Sequence, residues 1–127
     1  MIRKTVITSV LALALIAVAI PPLLRAAEAK PKYTIKEVMK ALHKGKENVS
    51  KRVLQGQGTK DDLAKLVEYY ASLPLCTPEK GDKASWTAKT SLLLKSAQSL
   101  KAGDPASLAA YKQAVNCKAC HSLHKPD

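Results

Sequence analysis

Phenylalanine is absent from this 127-residue chain, and one tryptophan and four tyrosines are the only other large aromatics. That scarcity argues against a ring-packed interior and predicts a core built from Leu, Val, Ile and Ala. A domain of about 100 residues buries a limited core and often depends on a staple or a cofactor. The composition therefore suggests that something other than side chains fills the middle. Strand-like alternation is missing as well, since every long segment has helical period. No internal repeat or low-complexity tract occurs. Acidic residues are few, at 10 Asp and Glu against 21 Lys and Arg.

The opening stretch, "MIRKTVITSVLALALIAVAIPPLLRAAEA", reads as a leader. Arg3 and Lys4 give a positive start, and Val6 to Ile20 form an apolar run that Pro21 and Pro22 terminate. Ala27 and Ala29 put small residues where a signal peptidase reads. The run is shorter than the about twenty residues of a membrane helix, although an uncleaved anchor is the competing reading. Neither a twin-arginine pair nor a lipoprotein cysteine is present near the cut. The expectation is a signal peptide over 1–29 and one domain over 30–127, placed in the periplasm or otherwise outside the cytoplasm. No stable membrane span remains after cleavage. The remainder carries a net charge of about +9, which speaks to partners and solubility. An exported chain rarely meets nucleic acid. Acidic proteins or an anionic membrane surface are better partners, and a solvated lysine surface is the plainer reading.

Four amphipathic helical segments are expected. In "YTIKEVMKALHKGKENVSKRVL" the residues Ile35, Val38, Met39, Leu42, Val49 and Val53 recur on one face, with Thr34 as the cap and Gly45 as a kink or a split. Thr59 caps a second helix that turns Leu63, Leu66, Val67 and Tyr70 inward. A third begins near Asp82 or Ser85 and carries Trp86, Leu93, Ala97 and Leu100. In "AGDPASL" Gly103 ends that helix, Asp104 caps the next and Pro105 suits its first turn. The fourth runs through Leu108, Tyr111 and Val115 into the cysteine segment. Four such helices with short links predict an all-α, antiparallel four-helix bundle.

The chemistry is concentrated in "CKACHSLHKPD". On a helix, Cys120 lies about −60° and His121 about +40° from Cys117 around the axis. Two sulfurs and an imidazole then share one face. A planar ligand along that face is bonded at two edges and ligated at its centre, which is what c-type haem requires. Zinc is a rival, with His124 as a fourth ligand, but four ligands within eight residues of one helix make a poor tetrahedron. A Cys117–Cys120 disulfide is the other rival, although redox CxxC pairs sit at strand-to-helix junctions and no strand is foreseen. Export, helical context and the aromatic-poor core favour haem.

With that motif late in an exported helical bundle, the chain resembles cytochrome c′ and its low-spin relatives over Thr34 to Lys125. "CKACH" matches the family form, and Lys125 stands where a basic residue is usual. His124 departs from the usual aromatic. The resemblance implies a haem protein that transfers electrons or binds small gases, and its members are often dimers. It also implies a second axial ligand from the first helix, where Met39 stands in "KEVMKALHK".

His43, one turn later, is the rival ligand and would give a bis-His iron of lower potential. With neither bound, the iron is five-coordinate and nitric oxide or carbon monoxide binding leads. The expected function is outer-sphere electron transfer by one haem c, a carrier and not an enzyme, serving a redox partner with an acidic surface. Cys117 and Cys120 tether the haem, His121 ligates it and Met39 completes the iron. Cys76 is left over as a buried thiol, a free thiol or a dimer link. Tyr69, Tyr70 and Trp86 pack on the porphyrin or serve in the core.

Overall fold

The computed structural model describes residues 29–127. The expected signal peptide falls on 1–28 and lies outside the described residues, apart from Ala29. Among the described residues the chain is all-helical, with six α-helices and one single-turn 3₁₀ helix. None of these helices is long and apolar enough to cross a membrane.

Helix α1 spans Ile35–His43. Thr34 Oγ1 accepts from the Glu37 amide at 3.2 Å, and Glu37 Oε2 accepts from the Thr34 amide at 2.8 Å. Two otherwise orphaned donors are thereby satisfied at once. The segment then splits at Gly45, whose φ of +97° suits glycine and few other residues. Asn48 makes the split permanent. Its amide donates to the carbonyls of His43 and Gly45, while its Oδ1 caps the next helix through the Lys51 amide. That helix is α2, Val49–Leu54.

Helix α3, Lys60–Tyr70, starts on a second reciprocal cap formed by Thr59 and Asp62. Asp62 is buried and also takes both arms of the Arg52 guanidinium, at 3.0 and 2.5 Å, tying α3 to α2. The 3₁₀ turn Leu73–Leu75 follows. Its Leu73 carbonyl accepts from the Trp86 indole at 2.8 Å. Helix α4, Lys83–Lys101, is the longest and begins on Asp82. It packs against α3 on one side and α5 on the other, with the 3₁₀ turn and the last helix touching it too. Buried hydroxyls on α4 return to its own backbone, Thr90 to the Trp86 carbonyl and Ser96 to the Leu93 carbonyl.

The chain end departs from expectation in two places. Asp104 does not cap the next helix directly; α5, Ser107–Ala114, begins on Ala106, while Asp104 Oδ1 receives the Ala106 amide one turn earlier. Nor does one helix run on through the cysteines. Val115 leaves helical geometry at ψ +41°, and Asn116 starts a new helix, α6, Cys117–His124. Asn116 Oδ1 accepts the Ala119 amide at 3.0 Å, so the break is a capped junction.

The core also corrects the composition argument. Tyr70, Tyr111 and Trp86, three of the five large aromatics, are buried at its centre beside Val38, Leu42 and Leu66. Few aromatics are present, but most of them are spent inside.

Candidate functional site

Helix α6 keeps the local geometry that the spacing demands, although it is a separate helix. Cys117, Cys120 and His121 all face a cleft whose opposite wall is α1 and whose floor is α4. On α1 the residues Ile35, Met39 and His43 recur at i, i+4 and i+8, one continuous stripe along the cleft. Trp86, Thr90 and Leu93 of α4 close the bottom. An inner recess holds Cys117, and the wider mouth has a volume of about 590 Å³. That lies within the about 300–1,000 Å³ of ordinary ligand pockets. Cys120, His121, Met39, His43 and Trp86 line both parts, which therefore form one space.

Every residue singled out from the motif and from α1 thus borders the same cleft. Cys117 and His121 are exposed, whereas Cys120, Met39 and His43 are half-buried. Burial pushes the Cys120 thiol up from its ordinary value, with Lys89 opposing and Cys117 adding to the rise. Burial, and then the nearby His121, push the His43 imidazole down from its ordinary value, which favours the uncharged ring. All three cysteines are free thiols. Cys76 is buried elsewhere, its Sγ 3.5 Å from the Tyr33 carbonyl, and it does not border the cleft.

His124 is committed to packing. It is buried, with Nδ1 3.0 Å from the Lys80 carbonyl and Nε2 3.2 Å from Ser85 Oγ. Its ring stands edge-on to Trp86 at 5.4 Å between centroids. Both nitrogens are used, so the four-ligand set that "CKACHSLH" offers to zinc is not assembled. Among the described residues, no three His, Cys, Asp or Glu side chains converge as a metal cluster. Two thiols, a thioether and two imidazoles border the one cleft.

Protein-family models, curated proteins and solved structures give no match to this chain.

Two features escaped the sequence. One is His124 as an anchor, which depends on the loop around Gly81 folding back against α6. The other is a run of hydroxyls leading to His43 from Tyr70, Tyr111 and Ser50. These four residues come from four different helices, so no local spacing carries a signal for them. The lysines at the cleft mouth, by contrast, follow a plain helical period. Lys36, Lys40 and Lys44 repeat at i, i+4 and i+8, directly beside the Ile35, Met39 and His43 stripe, and line the mouth with Lys125. Glu79 is the single carboxylate there.

Proposed function

We propose that this protein holds one c-type haem in the cleft between α1 and α6 and passes electrons by outer-sphere transfer. One observation carries the reading: Cys117, Cys120, His121 and Met39, from opposite ends of the domain, border a single slot of ligand size. In it, Cys117 and Cys120 form the two thioether links, His121 ligates the iron from α6, and Met39 approaches from α1. The haem supplies the chemistry, a one-electron change at iron whose potential its ligands and burial set. The remaining residues orient and shield. Trp86, Thr90 and Leu93 form the floor, and the capped break at Asn116 lets α6 tilt independently of α5.

This reading makes the chain a member of the cytochrome c′ type. Segments α1–α2, α3, α4 and α5–α6 then stand for the four antiparallel arms of its bundle. The domain would be exported and work as a carrier, not an enzyme. The lysine stripe at the cleft mouth would meet an acidic face on a redox partner, since opposite potentials steer encounter. No nucleic acid or lasting membrane span enters this account.

The test is the visible spectrum of the exported protein made in cells that attach haem. A Soret band with a low-spin pattern is expected, and the colour should survive acid–acetone extraction. Cys117→Ala with Cys120→Ala should lose haem under the same extraction, whereas Cys76→Ser should keep it. A colourless native protein would refute the reading. A high-spin native iron would replace electron transfer with nitric oxide or carbon monoxide binding on an open site, and Met39 would then be a packing residue only.

A further inference from the structure

Four side chains distant in sequence form a buried line of hydrogen bonds that ends at the cleft wall. Ser50 Oγ lies 2.7 Å from Tyr111 Oη, and Tyr111 Oη lies 2.8 Å from Tyr70 Oη. Tyr70 Oη in turn lies 3.0 Å from His43 Nε2. Ser50, Tyr111 and Tyr70 are all buried, so the line is shielded from bulk solvent.

The direction of the protons follows from counting them. Ser50 Oγ has Tyr111 Oη as its close partner, and the Tyr70 hydroxyl is a second, more distant neighbour. Suppose His43 donated from Nε2. Tyr70 would then donate to Tyr111 and Tyr111 to Ser50, leaving the Ser50 proton no close acceptor, only the more distant Tyr70 oxygen that His43 already occupies. A buried donor left unpaired costs about 1–3 kcal/mol. In the opposite direction Ser50 donates to Tyr111, Tyr111 to Tyr70, and Tyr70 to His43. Every proton then has an acceptor, and Nε2 is the end of the line. A neutral imidazole that accepts at Nε2 carries its own proton on Nδ1.

In that arrangement neither nitrogen of His43 presents a free lone pair, since Nε2 accepts from the Tyr70 hydroxyl and Nδ1 carries the proton. We infer that Tyr70, backed by Tyr111 and Ser50, is a positioning residue that holds His43 off the haem iron and leaves the sixth site to Met39. The inference rests on the haem reading and sharpens it. Met39 and His43 sit one turn apart on the same stripe of α1, and both border the cleft. Helical position alone does not choose between them. A hydroxyl from α3 does.

The test is Tyr70→Phe in the holoprotein, which removes the donor and keeps the ring. His43 should then displace Met39. The charge-transfer absorption of a thioether on ferric iron should disappear, and the reduction potential should fall towards a bis-His value. Adding His43→Ala to Tyr70→Phe should restore the thioether signature. Tyr111→Phe and Ser50→Ala leave Tyr70 free to donate and should keep it. Retention of the thioether band in Tyr70→Phe would overturn the inference and leave haem attachment standing. A native iron without that band would overturn it as well, and a native protein without haem would remove the reading beneath it. Should Tyr70→Phe fail to fold, nitrogen-15 spectra of the reduced native protein decide the point. A proton on His43 Nδ1 supports the inference, and a proton on Nε2 overturns it.

Discussion

Gly81 lies directly against the imidazole of His124. A Cβ at Gly81 would stand 2.7 Å from His124 Nδ1 and 2.5 Å from the Leu123 carbonyl oxygen. Its φ of +85° is the left-handed conformation that side chains oppose. The loop before α4 thus closes on the last turn of α6 with no space for one more carbon. His124 Nδ1–H donates to the Lys80 carbonyl, and Nε2 accepts from Ser85. These contacts pin the helix that bears Cys117, Cys120 and His121.

Gly81→Ala should therefore loosen α6 more than the rest of the molecule. Strain and a backbone clash together predict a loss of about 1–3 kcal/mol. Amide exchange in Cys117–His124 should accelerate while α3 keeps its protection. Uniform exchange across all helices would show that α6 is not held by this contact.

A second prediction concerns acid. The Arg52 guanidinium, followed by the Thr59 amide and hydroxyl, holds the Asp62 carboxyl below its ordinary 3.8, at about 2. A folded value below the unfolded one stabilises the native state fully above about pH 4. That stability is lost as pH falls from about 4 to about 2. Arg52 is a third exposed, so solvent screening reduces the contribution to about 1–2 kcal/mol. Asp62→Asn should lower Tm by about 4–8 °C for each kcal/mol at neutral pH. The two proteins should converge near pH 2, and a gap that persists there would assign the loss to packing instead.

Much of this molecule is legible in its sequence, because its helix ends are written locally. Thr34 with Glu37, Thr59, and Asp82 each stand within three residues of the amide they cap. The apolar stripes of α1 and α3 follow from period alone. The break before Cys117 was less visible, since "YKQAVNCKAC" keeps its helical pattern straight through Val115 and Asn116. Asparagine inside a helical pattern is only mildly unfavourable, and it becomes a cap when tertiary packing turns the chain. At the cleft, α6 and α1 each supply residues that spacing had picked out. Around it, contacts 27 to 61 residues apart tie α1 to α3 and α2 to α5, among them Tyr70 with His43 and Tyr111 with Ser50. Such pairs have no periodic signature.

The lysine stripe gives a third prediction. Lys36, Lys40 and Lys44 are exposed along the cleft mouth, so reversing all three to Glu reverses the local field. With haem bound as proposed, oxidation of the reduced protein by an anionic iron–cyanide complex should slow by about ten-fold or more at low ionic strength. The difference should shrink in about 1 M salt, where the Debye length is near 3 Å. A cationic oxidant should respond in the opposite sense. Equal rates with both reagents would reduce the stripe to a solubility role.

On the proposed haem reading, the last prediction separates the two candidate ligands on α1. Thioether sulfur is a weak ligand that favours ferrous iron over ferric, relative to imidazole. Met39→Ala removes that sulfur, and His43 remains tied to Tyr70 at 3.0 Å. The sixth site should then stay open. A shift to high spin, rapid carbon monoxide binding and a lower reduction potential should appear together. His43→Ala should keep the low-spin iron, because Met39 still borders the cleft on the same stripe. It should also leave the Tyr70 hydroxyl without its acceptor, at a cost of about 1–3 kcal/mol, so stability changes while the ligand does not. Spectra of both variants in both oxidation states, beside their unfolding curves, distinguish these effects. An open iron in His43→Ala with an unchanged Met39→Ala would assign the sixth ligand to the imidazole, and the hydroxyl line behind it would need another role.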